Sequence, residues 1–138
     1  MLKVVKTTKE HLDKIKIQPQ QADEFININI DGMHSIVDDN DNVFMVFKAV
    51  IFWQGRGQFK SFISADAGKH FFEIIRILKI LYKEYAPNRL EIEVLDSFDN
   101  GKRLAKLFGF NKESLMKQYY KGKDYCLYVK FKNEVLYA

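Results

Sequence analysis

Glu91, Glu93 and Asp96 alternate with apolar residues in the stretch Arg89 to Asp96. Side chains two apart on a strand share a face, so Glu91 and Glu93 stand together. Paired carboxylates of this kind bind a cationic substrate, or act as a general base where burial raises one pKa. Solvent-facing charges on a half-exposed strand have the same spelling. His11, His34 and His70 are far apart and, with the single Cys126, spell no metal set. Cys126 reads as a packing residue in a strand rather than a nucleophile.

Two loops resemble ligand sites at first reading. Asp38, Asn40 and Asn42 have the spacing of a calcium loop, but its sixth and twelfth positions hold Val43 and Ala49 where Gly and Glu are needed. That segment reads as a polar hairpin turn. Gly55-Arg56-Gly57 is followed by neither a Walker motif nor a dinucleotide fingerprint, and reads as a tight turn whose arginine is available to an anion. Tyrosines interleaved with Lys117, Lys121 and Lys123 have the composition of a stacking surface for single-stranded nucleic acid. No RNA-binding signature accompanies them, so nucleic acid is not an expected partner. Most of the aromatic residues are expected in the core.

The elements that position these residues follow from periodicity and punctuation. Leu2 to Lys6 alternates as a short strand. Thr7 and Glu10 have capping-box spacing and open a helix through Leu12 and Ile15. Pro19 suits the first turn of a second helix, with Ala22, Phe25, Ile26 and Ile30 on one face and Gly32 at its end. Strands follow at His34 to Val37, Val43 to Trp53 and Gln58 to Ser64. A helix over Gly68 to Tyr85 carries Phe71, Ile74, Ile75, Leu78 and Leu81 at helical spacing, and Pro87 closes it. Phe72, Ile77 and Ile80 widen its apolar surface and predict cover on more than one side. Arg89 to Leu95 is a strand, Lys102 to Phe108 a helix stopped by Gly109, and Ser114 to Tyr120 pairs with Asp124 to Phe131 as a hairpin. The order is β-α-α-β-β-β-α-β-α-β-β, an α+β fold with a central, mostly antiparallel mixed sheet and helices on both faces.

Bulk properties narrow the classes. At 138 residues, 47% of them hydrophobic, the chain is expected to form one domain with its own core. Residues 1–100 hold 13 Lys+Arg against 15 Asp+Glu, and residues 101–138 hold 9 against 3, so −2 and +6 give the net +4. The lone cysteine and the absence of a signal-like or membrane-length apolar run point to the cytoplasm, without a membrane partner.

The element order is similar to that of the GNAT (GCN5-related N-acetyltransferase) superfamily, and Leu107-Phe108-Gly109-Phe110 resembles the ending of its last helix. The chain is similar in particular to divergent GNAT-like proteins of tailed bacteriophages. That likeness rests on Gln21-Ala22-Asp23-Glu24, Trp53-Gln54-Gly55-Arg56, Ala67-Gly68-Lys69-His70, and Gly122-Lys123-Asp124 before a strand with Tyr128. The resemblance implies that acetyl-CoA lies along the strand at Phe62, Ile63 and Ser64. Its diphosphate would rest on the turn Ala67, Gly68, Lys69 and His70, where a helix N-terminus offers unpaired N–H groups. It also puts Glu91 and Glu93 near the acceptor amine, with no metal involved.

The sequence departs from the family pattern twice. Ser64-Ala65-Asp66-Ala67-Gly68-Lys69 lacks the basic lead and second glycine of the usual phosphate loop, and Asp66 adds a negative charge. Four residues before Gly109, where many members have a proton-donating tyrosine, stands Ala105, which has no proton to give. The expected function is therefore a phage-encoded acetyltransferase-like protein moving an acetyl group from acetyl-CoA to an amine, with eroded motifs. The alternative is a non-catalytic GNAT-like binding protein that engages a phage or host protein, acting in virion morphogenesis or on a host target, with the host cytoplasm as its expected location.

Overall fold

Alternation and turn chemistry set the strands of this computed structural model, which describes residues 1–26 and 28–132. The strands are β1 (Lys3–Lys6), β2 (His34–Val37), β3 (Val43–Trp53), β4 (Arg56–Ile63), β5 (Arg89–Leu95), β6 (Asn111–Tyr120) and β7 (Lys123–Phe131). The helices are α1 (Lys9–Lys14), α2 (Ala22–Phe25), α3 (Phe71–Tyr85) and α4 (Asp99–Leu107), with 3-10 turns at Pro19–Gln21 and Gly68–His70. The expected order is reproduced throughout. The strands hydrogen-bond in the order β1-β2-β3-β4-β5-β7-β6. β1–β2, β2–β3, β5–β7 and β6–β7 are antiparallel, and β4–β5 is parallel.

The chain divides into two compact units, Met1–Ala49 with Lys60–Ile77, and Val50–Phe59 with the chain from Leu78 onward. The first is built around Ile15, Met33, Val37, Val43, Val46 and Phe62, with Leu12, Phe25 and Ile28 packed against them. Phe25 meets the Phe62 ring edge-on at 5.3 Å between centroids. Burial of such side chains contributes about 1.5–3 kcal/mol each, the main term holding this unit together.

The second unit packs Phe108 at the end of α4 against Phe59, Tyr82 and Phe110. Lys130 Nζ lies over the Tyr82 ring at 4.2 Å and donates to the Phe108 carbonyl at 2.8 Å. A cation there satisfies an orphan carbonyl at a helix C-terminus, although burial lowers the Lys130 pKa. Gly109 has φ +97, and a Cβ there would lie 3.1 Å from Lys130 Nζ. The positive φ is what favours glycine there; the lysine tip could give way to a Cβ.

Several expectations are corrected. The capping box is formed by Thr8 and His11, not Thr7 and Glu10; the Thr7 hydroxyl instead meets Ser35 Oγ at 2.7 Å. The second helix ends at Phe25 rather than running to Ile30. β-branched isoleucines alternating with asparagines are poor helix formers, and Asn29 Oδ1 binds the Asp31 N–H in a local turn. Residue 27, within that expected helix, lies outside the described residues. Gly57 belongs to β4 rather than to the turn. A Cβ on it would lie 2.9 Å from Ile51 Cδ1 and 3.0 Å from the Val50 carbonyl, so close strand approach explains the residue. α3 buries Ile74, Ile75 and Leu78 but leaves Phe72 83% and Ile80 57% exposed, so the broad cover expected for it is absent. Phe52 and Trp53 are also exposed, flanking the Arg56 guanidinium at 4.9 and 5.0 Å.

Candidate functional site

The turn from β4 into α3 lies wholly in the first unit. Phe62 faces the core, Ser64 and Ala67 are buried, and Gly68 and Lys69 are exposed. The Ser64 N–H continues the sheet to the Phe44 carbonyl at 2.8 Å. Ala67 N–H returns to the Ser64 carbonyl at 3.1 Å and His70 N–H to the Ala67 carbonyl at 2.9 Å. Those two donors of the expected cradle are taken by the chain itself. Among the described residues, the N–H groups of Gly68 and Lys69 meet no acceptor, and no side chain caps the turn. Two unpaired donors and the lysine charge therefore remain at the start of a fifteen-residue helix. A Cβ at Gly68 would meet nothing within 4 Å, so the backbone there is open to approach. The His70 ring lies tilted against Phe44 with centroids 4.4 Å apart, which makes it a packing residue of the turn.

Asp66 is not the helix N-cap. Its carboxylate accepts from Ser64 Oγ at 2.5 Å and pairs with Lys16 Nζ at 3.1 Å. The serine hydroxyl first, and Lys16 after it, hold the Asp66 carboxyl below its ordinary range. The charge beside the turn is thus matched by a lysine, and the residues present fit a diphosphate at Gly68 and Lys69.

The strand edge leading to this turn carries groups that the sequence does not advertise. Gln18 Nε2 donates to the Ile63 carbonyl at 3.2 Å and Gln21 Nε2 to the Ser61 carbonyl at 2.9 Å. Side-chain-to-backbone bonds spanning some forty residues leave no periodic trace. Nothing in the composition of Ile17-Gln18-Pro19-Gln20-Gln21 marks the two glutamines as strand partners.

The paired carboxylates lie in the second unit and share a face as expected, but their surroundings differ. Glu91, 4% exposed, accepts from Arg56 Nε at 2.5 Å and Arg89 Nε at 2.8 Å. Arg89 also makes a bidentate pair with Glu113. The Arg56 hydrogen bond, reinforced by Arg89, holds the Glu91 carboxyl below its usual range despite burial. A general base needs the opposite shift. Glu93 accepts from Gln58 Nε2 and, at 2.8 Å, from Tyr119 OH. That hydrogen bond and burial push the Tyr119 hydroxyl up to about 12, so it stays a donor. Among the described residues, the parallel β4–β5 ladder covers Arg56↔Arg89, Gly57↔Leu90 and Gln58↔Glu91.

Other candidates resolve into structure. Asp38 accepts from the N–H groups of Asn40 and Asn42, each at 2.9 Å, which defines the polar turn. Cys126 is buried and donates to Asp96 Oδ1 at 3.1 Å; burial first, then this bond, raises its pKa, the wrong direction for a nucleophile. Ala105 is buried and its carbonyl accepts from Phe110 N–H. Among the described residues no group of three His, Cys, Asp or Glu is placed to hold a metal ion, and no helix is long and apolar enough to cross a membrane.

No family model and no curated protein matches the sequence. Solved structures do match. The chain is similar to the acetyltransferase (GNAT family) from Bacillus anthracis, with a TM-score of 0.72 at 12% identity, covering 96% of each chain. It is similar to Ard1 from Thermoplasma volcanium, with a TM-score of 0.72 at 11% identity, covering 96% of this chain and 99% of that one. Ribosomal-protein-S5-alanine acetyltransferase from Vibrio fischeri matches with a TM-score of 0.67 at 13% identity over 96% and 94% of the two chains. With the element order and the parallel pairing of β4 with β5, these likenesses establish that the chain has the fold of the GCN5-related N-acetyltransferases.

Proposed function

We propose that the turn from β4 into α3 holds the diphosphate of an acyl-coenzyme A, and that the chain is an acetyltransferase-like protein acting on an amine. The observation that carries this reading is the pair of unpartnered amides at Gly68 and Lys69, at the positive end of α3. Phe62, Ile63 and Ser64 are the strand residues along which the rest of the coenzyme would lie, and Lys69 adds charge. Bound acetyl-CoA supplies an activated thioester. The chain's own contribution is placement, because Ala105 has no proton to give and Glu91 is held by two arginines.

A second reading draws support from the same alanine and from the glutamines on the β4 edge. In it, the chain is a GNAT-fold binding protein of a tailed bacteriophage, without catalysis, that engages a phage or host protein in the host cytoplasm.

Thermal denaturation with acetyl-CoA separates the two. On the first reading, ligand at roughly 100 times its Kd raises the melting temperature by about 5–10 °C. Gly68→Asp abolishes the shift, since its side chain enters open space and repels the diphosphate without disturbing the core. The absence of any shift at millimolar acetyl-CoA contradicts the first reading.

A further inference from the structure

Backbone groups alternate along a strand. Ser64 N–H points to Phe44 on β3, so the groups of Ser61, Ile63 and Ala65 point to the opposite edge of β4. That edge is not bare. Ala65 N–H donates to the Lys16 carbonyl at 2.8 Å, Ile17 forms an isolated antiparallel bridge with Ser64, and Gln18 and Gln21 donate to the Ile63 and Ser61 carbonyls. Lys16 also reaches Asp66 beside the candidate diphosphate turn. Residues 16–21 therefore lie along the edge as a makeshift partner strand, tied at its far end to the turn.

The fit of this segment is incomplete. Gln21 Oε1 is buried without a hydrogen-bond partner. Turning the amide over would set its oxygen against the Ser61 carbonyl, so the orphan is inherent in the arrangement. An unmet buried acceptor costs free energy that release of the segment would recover.

We propose that residues 16–21 are a displaceable strap that closes the edge of β4 opposite β3, and that it competes with the amide-bearing arm of the coenzyme for the Ser61 and Ile63 carbonyls. The inference rests on the coenzyme reading given above. The strap-closed form binds weakly, and the apparent affinity is the intrinsic affinity multiplied by the open fraction.

Calorimetric titration of acetyl-CoA into the wild-type chain and Gln18→Ala/Gln21→Ala tests this, alongside amide hydrogen exchange at Ala65 in the wild type. Loss of two neutral hydrogen bonds that favour the closed form is expected to tighten binding about tenfold. Saturating acetyl-CoA is expected to speed Ala65 exchange in the wild type, a readout that needs no variant. Equal affinities with unchanged Ala65 protection overturn the strap and leave the coenzyme reading standing. Absence of binding to both proteins overturns the coenzyme reading and the competition with it.

Discussion

Glu91 shows how a residue that looks catalytic in the sequence becomes structural in the fold. Two guanidinium groups approach its carboxylate within 3 Å, and the Arg56 bond leads in holding its pKa down. A depressed folded pKa adds stability that is present above the unfolded value, near 4.5, and is lost as pH falls through the folded one. Removing the carboxylate leaves Arg56 without its ion-pair partner and Arg89 with Glu113 alone. Glu91→Gln is therefore expected to lower stability at pH 7 by about 2 kcal/mol, between the values for exposed and buried pairs. In urea titrations at pH 7 and pH 3.5, the wild type is expected to lose more stability than Glu91→Gln on acidification. An equal loss in both proteins contradicts the clamp. The sequence placed Glu91 and Glu93 on one face, because strand alternation is local information. It gave no sign that Arg56, thirty-five residues earlier, would arrive at one carboxylate and Gln58 at the other.

At the scale of elements, the glycines of the second unit report how closely its pieces pack. Gly101 lies in the first turns of α4, and a Cβ there would lie 2.6 Å from Phe98 Cδ2 and 2.9 Å from Val94 Cγ1. Alanine is worth up to about 1 kcal/mol more than glycine in a helix, but overpacking of this kind costs about 1–3 kcal/mol. Gly101→Ala is expected to lower the chemical-denaturation midpoint, and a raised midpoint would show that α4 is not pinned against β5. Strands bounded by clear turns, His34–Val37, Val43–Trp53 and Arg89–Leu95, were legible to the residue. α2 was not, since the 3.6-residue spacing of its isoleucines satisfies the helix pattern while their β-branching and the intervening asparagines oppose it. The capping box slipped by one residue because Thr7 and Thr8 are equivalent in sequence. Tertiary partners decide between them, Ser35 for one and His11 for the other. Of the candidate site, the glycine turn was legible as a helix start, whereas the strap was not, because glutamine side chains on a remote strand edge follow no repeat.

At the scale of the whole molecule, a fold shared with acetyltransferases at 11–13% identity means that patterning, not individual residues, carries the architecture. Function then depends on the few positions where the chain departs from polar turn or packed core. The unpaired amides of Gly68 and Lys69 are such a position, and the account rests on them. The most direct measurement is the change in the backbone amide resonances on titrating acetyl-CoA into the isotope-labelled chain. The largest shifts are expected at Gly68 and Lys69, with Ala65 moving as the strap yields. Shifts centred elsewhere, or none at saturation, would show that the turn holds no diphosphate and would contradict the account.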